Sequence, residues 1–266
     1  MSQYPADYIS INKKLWDERT RYHIGSDFYD QEGFIKGKSS LKDIERTLLG
    51  DIKGKSVLHL QCHFGQDTLS LARMGAQVTG VDLSSEAITL AEQTAAQLGI
   101  DADFICCNIY DLPKHLEKQF DTVFTTYGTV GWLPDLTIWA QLVARYMKPG
   151  ANFIFVEFHP FIWMLDNNFS QIQYSYFNTE TIIEAENGTY ADKQADIRLE
   201  AVSWNHSLDE VIQNLLDAGL TLQSFKEYDY SPYNIFPRST DLPNGTYQIR
   251  DMEGKMPLVY SLKMMK

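Results

Sequence analysis

Four short clusters in this 266-residue chain combine residue types and spacings that could do chemistry. The first is Val57-Leu58-His59-Leu60-Gln61-Cys62-His63-Phe64-Gly65, an apolar run that breaks into a polar turn. The second is Asp82-Leu83, where another apolar run ends 17 positions after Gly65. At the tip of a neighbouring strand, an acid in this place accepts hydrogen bonds from both hydroxyls of an adenosine ribose. The third, Asn108-Ile109-Tyr110, offers a carboxamide to an adenine amino group and an apolar or aromatic side chain to its face. The fourth comprises Thr126-Tyr127 and His159, each closing an apolar run. A metal site at His59, Cys62 and His63 is disfavoured. Strand alternation puts His59 and Gln61 on one face and Cys62 on the other, so three ligands do not converge. His59 then reads as a hydrogen-bonded buried histidine, and Cys62 and Cys106 as small buried apolar residues.

These clusters need elements to hold them. From Lys55 the pattern alternates: strands at 56–60, 76–82, 102–108, 120–127 and 151–158, with helices at 68–75, 84–99 and 136–150 between them. Strand and helix in alternation with short turns imply a parallel, doubly wound sheet, whose ligands bind beyond the carboxyl ends of the strands. Ahead of it, one helix is expected from a Ser10 cap to Gly25 and another from Ser40 to Gly50. Behind it, 159–205 is rich in aromatics and irregular. A helix follows with Ser207 and Glu210 in capping-box spacing, then strand-like runs at 222–230 and 258–265.

Composition narrows the partners. The formal charge of −12 argues against a phosphate backbone, which binds clustered Lys and Arg. Three cysteines cannot all pair within the chain and read as reduced thiols. No apolar stretch approaches membrane-spanning length, and Met1–Ser10 shows no secretion signal. A cytoplasmic protein is expected.

The run 56–83, the Asn108 turn, the stretch 120–136 and the strand at 151–158 together resemble class I S-adenosylmethionine-dependent methyltransferases. The likeness covers about residues 50–158, and more loosely the helix and two strands at the C-terminus. The run 62–84 is also similar to small-molecule enzymes of the glycine N-methyltransferase type. The resemblance implies an α/β, Rossmann-like, seven-stranded, mostly parallel sheet with one antiparallel edge strand. It implies an N-terminal helical cap (1–50), a cofactor core (51–158), an aromatic substrate lid (159–205) and a C-terminal part (206–266) that completes the sheet. The cofactor would be S-adenosyl-L-methionine, with S-adenosyl-L-homocysteine as product. Trp16, Arg21, Tyr22, Gln61, His63, Gly65, Asp82, Leu83, Asn108, Ile109, Tyr110 and Thr126 would hold it, with Tyr127 and His159 as catalytic candidates. His59, Gln61 and His63 depart from the family's strand-one acid and glycine-rich turn. The acceptor would be a small molecule methylated on O or N by in-line displacement, and the chain a monomer or homodimer. The altered turn leaves open a protein that binds the cofactor without transferring methyl, and the acceptor could also be a protein.

Overall fold

The structure is a computed structural model that describes residues 5, 7–166, 168–177 and 180–266. Three helices come first: α1 (Tyr8–His23), α2 (Gln31–Ile35) and α3 (Asp43–Leu49). The alternating part follows as β1 (Ser56–Leu60), α4 (Gln66–Arg73), β2 (Gln77–Asp82), α5 (Ser85–Leu98), β3 (Asp103–Cys106), β4 (Phe120–Thr126), α6 (Leu136–Tyr146) and β5 (Met147–Phe158). The rest comprises β6 (Ile182–Asn187), β7 (Arg198–Ser203), α7 (Leu208–Asp217), β8 (Thr221–Tyr228), β9 (Ser239–Asp241), β10 (Tyr247–Ile249) and β11 (Val259–Met265).

Seven strands among the described residues form one sheet in the order β3-β2-β1-β4-β5-β11-β8. β1 pairs in parallel with both β2 and β4, so the winding reverses between β1 and β4. β11 runs against its neighbours β5 and β8 at the far margin. All five residues of β1 are buried, which requires cover on both faces. On one face, Trp139, Val143 and Tyr146 of α6 pack with Phe153, Phe155 and Tyr260. On the other, Leu49, Ile52 and Leu71 pack on Val57, Phe124 and Ile154. Ser84 caps α5 by accepting from the Ala87 amide, and Gly99 ends it at φ 62°.

Several local expectations are corrected. The first helix begins at Tyr8, and the Ser10 hydroxyl donates back to the Asp7 carbonyl instead of capping. Ser40 bonds Ser70, so α3 starts after Lys42, whose amide is capped by Glu45. Helix α2 was not expected; Asp30 starts it by accepting from the Gly33 amide. The capping box at Ser207 does not form, because its hydroxyl turns to Asp209 while Glu210 pairs with His206. Cys106 is exposed because it ends the edge strand β3, whereas Cys62 is buried as expected.

The 159–205 stretch contains an antiparallel hairpin, β6–β7, laid against α1. The Asn12 carboxamide donates to the Val202 carbonyl at 2.7 Å and accepts from the Val202 amide at 3.0 Å, the two bonds a neighbouring strand would make. Among the described residues no helix is long and apolar enough to cross a membrane.

Candidate functional site

A cavity of about 1070 Å³ opens where the winding reverses, beyond the carboxyl ends of β1, β2 and β4. Its floor is unusual in its backbone. Gln61 (φ 56°), His63 (φ 50°) and Tyr127 (φ 47°) are non-glycine residues in the left-handed region, and all three line the cavity. Each such residue costs on the order of 1–3 kcal/mol, and such strain concentrates at functional sites. The turn after β1 therefore keeps the conformation that glycines would favour, with a glutamine and a histidine built into it. The remaining glycine, Gly65, also has positive φ, and packing requires its lack of a side chain. A Cβ there would meet Ala91 at 2.8 Å and the Phe104 ring at 2.9 Å.

Asp82 lies at the tip of β2. One of its oxygens accepts from the His63 amide at 2.7 Å and the other from the Ser84 amide at 2.8 Å. These amides use part of its roughly four lone-pair directions in shaping the turns, and the residue lines the cavity. Burial pushes this carboxyl up to about 6, against the pull of those amides. Beside it, Leu83, Asn108 and Ile109 line the wall. The Asn108 oxygen caps the Tyr110 amide, which leaves its amino group and one oxygen lone pair free of that cap.

At the other end of this wall the rings of His23 and His63 stack, with Nδ1 of the first 3.2 Å from Nε2 of the second. Burial keeps both neutral, His23 down to about 3. Among the described residues His63 Nδ1 and Gln61 Oε1 are buried without a hydrogen-bond partner, as expected of atoms that await a ligand. The buried Arg19 guanidinium stacks near Trp16 (5.0 Å) and Trp132 (5.6 Å), all three lining the same space. His59 bonds Thr68 at 2.8 Å and is held neutral by burial, as a core histidine would be.

The opposite wall is acidic and phenolic. Tyr127 donates to Glu45 at 3.0 Å, and the Thr126 hydroxyl lies 3.5 Å from Asp67. Tyr233 meets Tyr127 edge to face, and Lys42 sits 4.7 Å above the Tyr233 ring. The turn behind Tyr127 is fixed by buried Glu157, which accepts from the amides of Gly128, Thr129 and Phe158. Beyond this wall the cavity becomes apolar, lined by Ile162, Trp163, Leu165, Phe169, Ile235 and Phe236.

Of the residues expected at the site, Trp16, Gln61, His63, Gly65, Asp82, Leu83, Asn108, Ile109, Thr126 and Tyr127 line this one cavity. Four do not. Arg21 is exposed and pairs with Glu18 and Glu86; two helical steps turn it about 200° from Arg19. Tyr22 reaches outward to the Asp196 carbonyl at 3.3 Å. Tyr110 turns its hydroxyl to Asp135, because a tight turn of three residues separates its direction from that of Ile109. His159 is bound through Nε2 to Glu227 on β8 and through Nδ1 to the Phe161 amide, away from the cavity.

Sequence reasoning missed Arg19, Glu45, Asp67 and Tyr233. The buried positions Asn12, Leu15, Arg19 and His23 form one face of α1, so the helical period could have selected Arg19 over Arg21. Asp67 follows the retained glycine by two residues. Glu45 and Tyr233 carry no such local signal.

A sheet in this order, with an acid at the tip of β2 and a cavity at the reversal, defines the class I methyltransferase architecture. Residues 57–150 match the family model described as "Methyltransferase domain". Over 221 residues the chain is 25% identical to a ubiquinone biosynthesis O-methyltransferase of Alkalilimnicola ehrlichii, covering 81% of this chain and 82% of that protein. It is 33% identical over 132 residues to one from Xanthomonas oryzae pv. oryzae, covering 48% of this chain and 55% of that one. This chain thus spans little more than half the length of that second relative. An S-adenosylmethionine-dependent methyltransferase from Methanosarcina mazei superimposes with a TM-score of 0.57 at 20% identity, covering 85% of this chain and 98% of that one.

The site suits S-adenosylmethionine chemically. A carboxylate with free lone pairs fits a ribose, an apolar slot fits adenine, and a buried guanidinium with unpartnered ring and amide atoms fits an amino-acid end.

Proposed function

We propose that this chain transfers a methyl group from S-adenosylmethionine to an oxygen of a small, largely apolar acceptor. One observation carries the reading. The ribose-binding acid Asp82 and three strained residues, Gln61, His63 and Tyr127, converge on one cavity whose far end is lined by apolar side chains. The oxygen acceptor is supported by the names of the two relatives described above. In this reading residues 1–50 and 159–205 act as cap and lid over a core at 51–158, and 206–266 completes the sheet. The acceptor is a metabolite and not a nucleic acid, and the setting is the cytoplasm.

The cofactor supplies a methyl group on a sulfonium, already a good leaving group for a nucleophile in line with it. The protein's part is mostly alignment and exclusion of water. Asp82, Leu83, Asn108 and Ile109 hold the nucleoside end. Arg19, Trp16, Gln61 and His63 hold the charged end. Thr126 and Tyr127 present the acceptor, whose apolar body lies against Phe169 and Phe236.

Calorimetric titration of the protein with S-adenosylmethionine tests the cofactor site, with Asp82→Ala as control. Labelled methyl transfer to a set of phenols and catechols tests the acceptor. Equal binding by both proteins would remove the proposed site, and wild type inert on every hydroxylated compound would remove the acceptor class.

A further inference from the structure

Behind the acceptor wall, bonded to Tyr127, lies a carboxylate that the alignment of substrates does not explain. Glu45 is fully buried in the first turn of α3. One oxygen accepts from the Lys42 amide at 2.8 Å, and the other accepts from the Tyr127 hydroxyl at 3.0 Å. Among the described residues no ion pair joins it to a cation. Tyr127 is held in the left-handed region at the tip of β4, with its ring in the cavity. A glutamine could cap the helix and accept from Tyr127 equally well, without burying an ionisable group. What glutamate adds is the capacity to take a proton.

We propose that Tyr127 and Glu45 form a proton-accepting pair for the acceptor hydroxyl, with Tyr127 touching the acceptor and Glu45 positioning it and taking the proton through it. The inference rests on the hydroxyl-acceptor reading above. The proton of the acceptor O–H moves to the Tyr127 oxygen as the Tyr127 proton moves to Glu45 Oε2. The pair gains one proton, and the acceptor oxygen keeps its electrons. Those electrons form the new O–C bond as the S–C bond breaks, and sulfur retains the bonding pair. Glu45 then returns its proton to solvent when product leaves.

The surroundings suit this task. Burial, reinforced by Asp67 on α4, lifts the Glu45 carboxyl to about 7. A proton acceptor balanced near the working pH is the most effective. The other titratable groups that face the pair are Lys42 at the start of α3 and Tyr230 and Tyr233 from the loop after β8. Burial and the neighbouring carboxylates hold the phenols of Tyr127 and Tyr233 well above their usual value, so Tyr127 passes a proton without resting as an anion. Burial lowers Lys42, and Lys38 nearby acts in the same direction.

Glu45→Gln and Tyr127→Phe test the pair, with catechol as methyl acceptor and umbelliferone, a phenol whose fluorescence reports its ionisation, as a binding probe. Glu45→Gln is expected to lower kcat about 100-fold, to leave cofactor affinity unchanged, and to abolish the rise of kcat through about pH 7. Umbelliferone bound to wild type at about pH 7 is expected to be ionised several-fold more than free dye, and this gain disappears in both variants. An unaltered pH profile in Glu45→Gln, or equal dye ionisation in wild type and variant, overturns the pair while leaving the proposed function standing. A wild type that neither methylates catechol nor binds the dye overturns the hydroxyl-acceptor reading, and the pair with it.

Discussion

The two walls of the cavity are built in different ways. In the proposed reading the cofactor wall comes mainly from turns at the tips of β1, β2 and β3, within residues 61–109, joined by Trp16 and Arg19 of α1, and its acid accepts from backbone amides of adjacent turns. The acceptor wall is assembled from side chains at 67, 127 and 233, with Glu45 behind Tyr127, and these acids face one another and phenols. The first wall is therefore set mostly by local chain geometry. The second is chemically loaded, and only the folded state brings its members together. In the proposed reading local turns supply most of the cofactor's contacts, whereas the acceptor calls on residues scattered through the chain.

The largest expected effect lies on the acceptor wall. Glu45 titrates at about 7 in the fold against an ordinary value of 4.5, so the native state binds the extra proton between those values and loses stability as pH rises through them. The gap is worth about 3 kcal/mol. Glu45→Gln should thus unfold later than wild type above about pH 7 and equally below about pH 4.5, as chemical denaturation at the two pH values would show. If the difference persists in acid, the two walls do not differ as described.

On the cofactor wall, Asp82→Ala should weaken S-adenosylmethionine binding by about 2 kcal/mol and leave umbelliferone binding unchanged. Calorimetry with each ligand separates the walls. Next in size, Arg19→Lys should cost about tenfold in cofactor affinity because a planar fork is replaced by a point charge. Arg21→Lys should cost nothing, since that residue faces solvent. The smallest effect is a pH dependence. Asp82, raised to about 6 by burial and by Asp17, should accept from both ribose hydroxyls fully only when ionised, so affinity is expected to be full above about pH 7 and to fall as pH drops through 6. His23 and His63 stay neutral across that range, so the profile should show a single step.

The legibility of the sequence follows the same division. The alternation from Lys55 to Phe158 revealed the sheet, because buried parallel strands are uniformly apolar and their helices carry caps such as Ser84. Asp82, Asn108 and Thr126 could be read because each ends a recognisable strand or starts a turn. Gln61 and His63 looked like departures from a glycine-rich turn, yet the fold keeps the left-handed backbone and bears the strain. Residue type suggests a conformation there without dictating it. His159 was misread because proximity to a strand end does not reveal that Glu227, from a strand 68 residues later, captures its ring. Glu45 was invisible for the same reason: its partner Tyr127 lies 82 residues away.

Asn12 belongs to a helix, yet it commits both halves of its carboxamide to Val202, 190 residues downstream. Helix α1 and the β6–β7 hairpin are thereby stitched together. The expected consequence is kinetic: a spent cofactor leaves only when this seam parts, so residence time is set there and not at the ribose. Asn12→Ala should shorten that residence, measured by stopped-flow release of S-adenosylhomocysteine, while leaving the affinity of Asp82 for its hydroxyls intact. An unchanged release rate would mean that ligand traffic takes another route. Two segments far apart in the chain would then share a contact in space without sharing control of turnover.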